Sequence, residues 1–218
     1  MKDSARVLDR GFAEAARVIR GGVTEKEAAS LIELSFRKAG ADGLAFDTIV
    51  ASGPRAALPH GKASSKRVKR GELVVADMGV ALNGYNSDET RTFSVGRPSP
   101  EQRKVYQTVL DAQMRAIEKV APGVKAAEVD SEARSLIEKA GYGKFFGHGL
   151  GHGVGLDVHE PPSLSPLSKE TLEEGMVVTI EPGIYIPGWG GVRIEDMVLV
   201  MKDGFEVLTT TSKDLVSL

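Results

Sequence analysis

Gly22-Val-Thr-Glu-Lys-Glu-Ala-Ala-Ser30 returns 101 residues later as Gly123-Val-Lys-Ala-Ala-Glu-Val-Asp-Ser131, and Lys38-Ala-Gly40 returns as Lys139-Ala-Gly141. Seven identities over these 19 positions suggest one structural unit used twice, although any two amphipathic helices share some residues by chance. The first copy reads as a helix. Thr24 followed three residues later by Glu27 is a capping box, in which each side chain satisfies a backbone N–H that the first turn leaves free. Ala28, Leu31, Ile32 and Phe36 recur at helical spacing, and Gly40 ends the run. Upstream, Leu8, Phe12, Ala15 and Ile19 mark another helix, stopped by Gly21-Gly22. Downstream, Leu44 to Val95 turns to β character, with Thr48-Ile-Val50 and Leu73-Val-Val75 as apolar cores and Asn83-Gly84 as a two-residue hairpin turn.

The pattern then restarts. Pro100 to Val120 is helical, with Val105, Val109, Ala112 and Ile117 on one face, and Gly123 to Gly141 holds a further helix. Glycine-rich and β-rich sequence follows to the end, and Gly71-Glu-Leu-Val-Val75 is loosely echoed by Gly175-Met-Val-Val178. Helix-helix-sheet occurs twice. The expectation is one α+β domain over residues 1–218, its antiparallel sheet covered by helices on one side, with no Pro/Ser linker to mark a boundary.

Composition narrows the function. The 218 residues are 41% hydrophobic and 27% charged, which fits a folded domain and argues against disorder, collagen-like repeats or a coiled-coil rod. With 28 Lys and Arg against 30 Asp and Glu, the net charge of −2 gives no global reason to bind nucleic acid or an anionic membrane. The absence of cysteine excludes disulfides, thiolate zinc sites and a cysteine nucleophile. Neither an apolar run long enough to span a bilayer nor a signal peptide is read, so the expected location is cytoplasmic.

Three segments concentrate chemistry. With Asn83-Gly84 as the turn, Gly79 pairs with Asp88, and Asp77 lies diagonally beside Asp88 on the same strand face. Two carboxylates there repel each other unless a cation lies between them, although two solvated aspartates on an exposed sheet would look the same. Of four histidines, His148, His152 and His159 fall within 12 residues, separated by four glycines that let the backbone approach a site closely. The fourth, His60, follows Leu58-Pro59, a pattern shared with ordinary surface turns. Finally, Glu181 and Glu195 sit in β-rich runs where a charge needs a partner, and a hairpin turning near Gly188 sets them roughly opposite each other. Tyr185, Trp189 and the group Leu172, Met176 and Val177 read as core or rim packing. Two Asp, two Glu and one or more His would be untenable together without divalent cations. An oxygen-rich set suits Mn²⁺, Co²⁺ or Fe²⁺ better than a structural zinc site. Two such ions can hold a bridging hydroxide and polarise a carbonyl, which is hydrolase chemistry.

These residues resemble a known family. His148 to Glu160, Glu181-Pro-Gly183 and Val192-Arg-Ile-Glu-Asp196 are similar to the proline-specific metallopeptidases, the Xaa-Pro aminopeptidases and Xaa-Pro dipeptidases of the pita-bread fold. Asp77-Met-Gly79, Ser87-Asp-Glu-Thr-Arg-Thr-Phe93 and Ala57-Leu-Pro-His60 match further family motifs. The resemblance implies two pseudo-symmetric α+β halves around a curved antiparallel sheet. It implies metal ligation by Asp77, Asp88, His152, Glu181 and Glu195, with Glu181 also moving a proton from the attacking water. His60 and His159 fall where relatives contact the substrate and the developing oxyanion, and His148 and Arg193 where they line the pocket beyond the scissile bond. Two divalent ions are implied, Mn²⁺ or Co²⁺ before Zn²⁺ or Fe²⁺, and short proline-containing peptides as substrates. Methionine aminopeptidases share the five ligands but not the Leu58-Pro-His60 loop or the Val192-Arg-Ile-Glu-Asp196 strand. Creatinase-like enzymes and non-catalytic binding modules use the scaffold but usually lack the full ligand set. Most proline-specific members carry an N-terminal domain, which this chain is expected to lack. That domain often contributes to dimer contacts, and a homodimer remains an open expectation.

Overall fold

The computed structural model describes residues 1–218. Helices α1 (Lys2–Val18) and α2 (Glu25–Lys38) precede strands β1 (Gly43–Leu44), β2 (Ile49–Ser52), β3 (Leu73–Met78), β4 (Val80–Leu82), β5 (Tyr85–Asn86) and β6 (Glu89–Ser94). Helices α3 (Pro100–Glu118) and α4 (Ala126–Lys139) then precede β7 (Gly151–Gly153), β8 (Glu160–Leu164), β9 (Val177–Ile180), β10 (Gly183–Ile186), β11 (Gly190–Arg193), β12 (Asp196–Met201) and β13 (Gly204–Val207). The Thr24–Glu27 capping box forms as expected, and Ser99 with Gln102 builds a second one on α3 behind Pro100. In the repeated unit Lys125 replaces Thr24, and α4 starts with no side-chain cap.

Each half has its own core. Leu8, Phe12, Ile32 and Phe36 of α1 and α2 pack on Val74, Ala76 and Met78 of β3. In the second half, Val105, Val109, Ile117 and Ile137 of α3 and α4 pack on Val178, Ile180 and Val198. Each such side chain contributes about 1.5–3 kcal/mol on burial, so either half loses its sheet cover if its helix pair is lost. The repeat is also geometric. Gly71 and Gly175, both at positive φ, precede β3 and β9, and the isolated bridges Thr24–Arg67 and Lys125–Thr171 tie equivalent helix starts to equivalent loops.

The strands form four antiparallel ladders, ordered β2-β3-β6, β1-β4-β5, β13-β12-β9-β7-β8 and β10-β11, where the sequence suggests a single curved sheet. The register nevertheless runs through the breaks. The pairs Leu82–Tyr85 and Met78–Glu89 share one register, with Asn83 and Gly84 both at positive φ in the turn. Likewise Gly183–Arg193 and Ile180–Asp196 share one, which sets Glu181 opposite Glu195. Asp88, Glu181 and Glu195 all lie in the gaps between ladders, and Asp77 lies one residue from the end of β3. Where the strands part, their side chains turn toward a common space.

Candidate metal centre

That space is a cavity of ≈ 500 Å³, lined by Asp77, Asp88, His152, Glu181 and Glu195 together with His60, His148, His159 and Arg193. Both halves of the chain contribute. Phe46, Asp47, Ile49, Lys62, Ser163 and Ser165 complete much of the wall, and nothing in their local sequence marks them. The size is that of a small-ligand site.

Ligand-capable atoms of Asp88, His152 and Glu195 lie within 4.8 Å of one another. The glycines flanking His152 leave no room for a side chain: a Cβ on Gly151 would meet the Thr179 carbonyl, and one on Gly153 the Pro161 carbonyl. Strand β7 is thus pressed between its neighbours, and the His152 ring emerges toward the carboxylates. Its Nδ1 lies 2.9 Å from the Gly153 carbonyl, so the proton belongs there and the Nε2 lone pair faces outward. Nε2 is 3.4 Å from Glu181 Oε1 and 3.6 Å from Asp88 Oδ2. Burial pushes the His152 pKa down to about 4, so near neutral pH Nε2 offers a lone pair to the space it shares with the Asp88 and Glu181 carboxyls. A divalent cation bound in that space would take ligands from these side chains and hold the carboxyls in their ionised form. Asp77 Oδ1 is likewise buried without a hydrogen-bond partner.

The carboxylates bear the cost of their proximity. Burial, and then the charge of Asp77, push Asp88 well above the ordinary carboxylate range. Burial and then Asp88 do the same to Glu195. Burial raises Glu181 to about 7, with the Asp77 charge adding to it and Arg193 opposing it. Two divalent cations would balance four such charges, and the donor set fits them.

Several orienting residues carry no local sequence signal. The Thr90 hydroxyl donates to Glu195 Oε2 at 2.6 Å, and the Thr179 hydroxyl to Glu181 Oε1 at 3.3 Å. Thr179 sits two residues from Glu181, as Thr90 does from Asp88, and so on the same strand face, the one clue the sequence offers. Tyr185, read above as packing, is a polar relay instead. Its hydroxyl accepts from Arg193 Nη1 at 2.8 Å and lies 2.9 Å from His148 Nε2. With His148 Nδ1 2.7 Å from the Gly149 carbonyl, that ring is fixed at both nitrogens. His159 packs against His152 with ring centroids 4.2 Å apart and planes tilted by 49°, and both His60 and His159 are exposed.

Arg193 is almost fully buried and four of its five N–H donors are spent within the protein. Nη2 donates to Asp77 Oδ2 at 2.6 Å, Nη1 also to the Pro59 carbonyl at 3.2 Å, and Nε to the Thr90 hydroxyl at 3.1 Å. The guanidinium therefore acts first on Asp77. The expected result for Arg193→Lys is weaker metal binding, by about 10–100-fold for the loss of an outer partner, and a smaller change in KM. A raised KM with metal affinity intact would put the fork on the substrate instead.

A buried imidazole-carboxylate cluster at the junction of two α+β repeats is a candidate site for divalent cations. Residues 1–202 match the model of metallopeptidase family M24, and the chain belongs to that family. It is 51% identical over 215 residues to the Xaa-Pro dipeptidase of Pyrococcus furiosus, a match covering 99% of this chain and 62% of that protein. The solved prolidase structure from Pyrococcus furiosus superposes with a TM-score of 0.96, covering 97% of this chain and 63% of that one. The X-Pro aminopeptidase structure from Thermotoga maritima superposes with a TM-score of 0.97 at 48% identity, over 100% of this chain and 62% of that one. The fold is the pita-bread fold. This chain spans about 62% of the length of the curated relatives it matches. No helix is long and apolar enough to cross a membrane.

Proposed function

We propose that residues 1–218 form one metallopeptidase domain that hydrolyses Xaa-Pro bonds in dipeptides or at the N-terminus of short peptides, with two divalent ions, Mn²⁺ or Co²⁺. The observation that carries this reading is the convergence of Asp88, His152 and Glu195 within 4.8 Å, with Glu181 Oε1 3.4 Å from His152 Nε2. Asp77, Asp88, His152, Glu181 and Glu195 would hold the ions. When bound, the ions would acidify water and polarise the substrate carbonyl. Glu181 accepts the proton of the attacking water and passes it to the leaving proline nitrogen. His60 and His159 stand at the exposed mouth, able to donate hydrogen bonds to the peptide and to the oxygen on which charge develops. His148, fixed by Gly149 and Tyr185, lines the pocket for the ring. A bond to proline has no N–H, so selection rests on the shape of that pocket. The close relatives named as Xaa-Pro dipeptidases support the substrate class.

The deciding experiment is turnover of Xaa-Pro and Xaa-Ala dipeptides and tripeptides by Mn²⁺-loaded protein, where equal rates for proline and alanine would overturn proline specificity. Two variants then separate the histidines. His159→Ala should lower turnover about 10²–10³-fold, the usual loss for one oxyanion donor, with both ions retained. His152→Ala should lose metal as well. Equal metal loss in both would mean that ligand and donor have been misassigned.

A further inference from the structure

Outside the cavity, at the first position of α2, Glu25 is completely buried. Five donors converge on it. Oε1 accepts from the Ser52 backbone N–H and hydroxyl, both at 2.8 Å. Oε2 accepts from Arg55 Nε at 3.0 Å, from the Ser64 N–H at 3.0 Å and from the Ser64 hydroxyl at 2.6 Å. Burial alone would raise the pKa of this carboxyl, but the Ser64 and Ser52 hydrogen bonds outweigh it and hold it below the ordinary range. The charged form is the one this setting is built for.

The donors come from the two ends of one segment, Ser52 to Ser64. Between those ends the chain carries Pro59, His60 and Lys62 to the cavity wall. Arg55 extends the clamp by donating from Nη2 to the Lys62 carbonyl at 2.6 Å, and Lys66 Nζ reaches the Ser52 hydroxyl at 2.8 Å. On the cavity side the segment is held by Arg193 at the Pro59 carbonyl. The 3₁₀ turn Gly53–Ala57 lies so close to β11 that a Cβ on Gly191 would meet the Ala56 carbonyl. His60 itself is exposed. Its place is set by Arg193 at the neighbouring Pro59 carbonyl and by what fixes the loop ends, and the fixed point those ends share is one carboxylate.

We propose that Glu25 is a positioning residue for catalysis, pinning both ends of Ser52–Ser64 so that His60 is presented to the substrate at the cavity mouth. The proposal rests on the role given to His60 above. Glu25→Gln keeps the volume but leaves one acceptor oxygen, so an amide N–H₂ faces donors at one end of the clamp.

The test uses the full chain, with kcat on an Xaa-Pro dipeptide, Mn²⁺ stoichiometry by titration calorimetry, and imidazole resonances of the metal-free protein by NMR. E25Q should lower kcat on the order of 10²-fold, the loss expected for about an ångström of misplacement, with two Mn²⁺ still bound. In a His60→Ala background the same change should cost less than about 3-fold, because the group it positions is gone. Of the four histidines, His60 should show the large resonance shift. An equal fold-loss in both backgrounds, lost Mn²⁺, or an unchanged kcat would overturn the proposal. If His60→Ala alone leaves kcat intact, the role of His60 falls, while the NMR shift still reports whether Glu25 places the ring. Ser64→Ala, which removes one donor, should give a smaller change in the same direction and serves if E25Q does not fold.

Discussion

Replacing Glu195 with glutamine is expected to reduce turnover to the metal-free background and bound Mn²⁺ to fewer than two per chain. The substitution is nearly isosteric, and its carbonyl oxygen can still accept from the Thr90 hydroxyl that now meets Glu195 Oε2. The backbone anchor, Glu195 N–H to the Thr90 carbonyl, is untouched. What changes is one charge and one ligand atom, since the amide nitrogen presents hydrogens where a cation should sit. Loss of a residue that merely supports a ligand costs about 10–100-fold, so loss of a ligand should exceed that range. The same variant should gain stability without metal. Burial and the charges of Asp88 and Glu181 disfavour the ionised form of Glu195, and a neutral amide removes that conflict. Lower activity combined with higher metal-free stability is the signature of a ligand. Lower activity with lower stability would mark a packing residue, and a Glu195→Gln protein that keeps two ions and full turnover would sink the assignment.

Local physics makes much of this molecule readable, because the features that reveal it act over a few residues. Thr24 and Glu27 cap α2 within one turn, and Asn83-Gly84 adopts the positive φ values of a tight hairpin turn. Once that turn is fixed, the two-residue period of a strand puts Asp77 and Asp88 near each other. The same logic sets Glu181 opposite Glu195 across the turn that contains Gly188. What stays hidden depends on contacts between distant segments. The Glu25 carboxylate meets donors 27 to 39 residues away, and in sequence it reads only as an acidic residue in a helix's first turn. Behind the site, Arg91 donates to Asp196 Oδ1 at 2.8 Å and to the Glu195 carbonyl at 2.5 Å, while Gln113, Thr209 and Lys213 converge on the same aspartate. Those partners come from α3, β6 and the chain end, and no short motif announces them. Tyr185 misleads for the same reason: an aromatic residue in an apolar strand looks like core until its hydroxyl finds Arg193 and His148.

In the absence of metal, raising the pH from 6.5 to 8 is expected to destabilise the protein, and saturating Mn²⁺ should cancel or reverse that slope. Glu89, wholly buried beside Arg91, is pushed up to about 8 by burial, and Glu181 to about 7. Asp88 and Glu195 are also shifted upward, again chiefly by burial. Each is a carboxyl whose folded pKa exceeds its unfolded one, so the folded state binds more protons and stability falls as pH rises from the unfolded value up to the folded one, levelling off above it. Below pH 6.5 two groups work the other way. Burial lowers His148 and His152 to about 4, so their cost of staying neutral fades as pH approaches the ordinary histidine value and is gone above it. The carboxyls therefore act unopposed by these two rings between 6.5 and 8. Each group still protonated in the folded state contributes a loss of up to about 1.4 kcal/mol per pH unit. Urea midpoints at pH 6.5 and 8, with chelator and with Mn²⁺, read the effect directly. Bound ions select the ionised carboxylates, so Mn²⁺ affinity should strengthen from pH 5 to pH 8 while the metal-free protein weakens over the upper part of that range. A metal-free stability that rises from 6.5 to 8, or Mn²⁺ binding as tight at pH 5 as at pH 8, would mean that these carboxylates are not the ones that meet the metal.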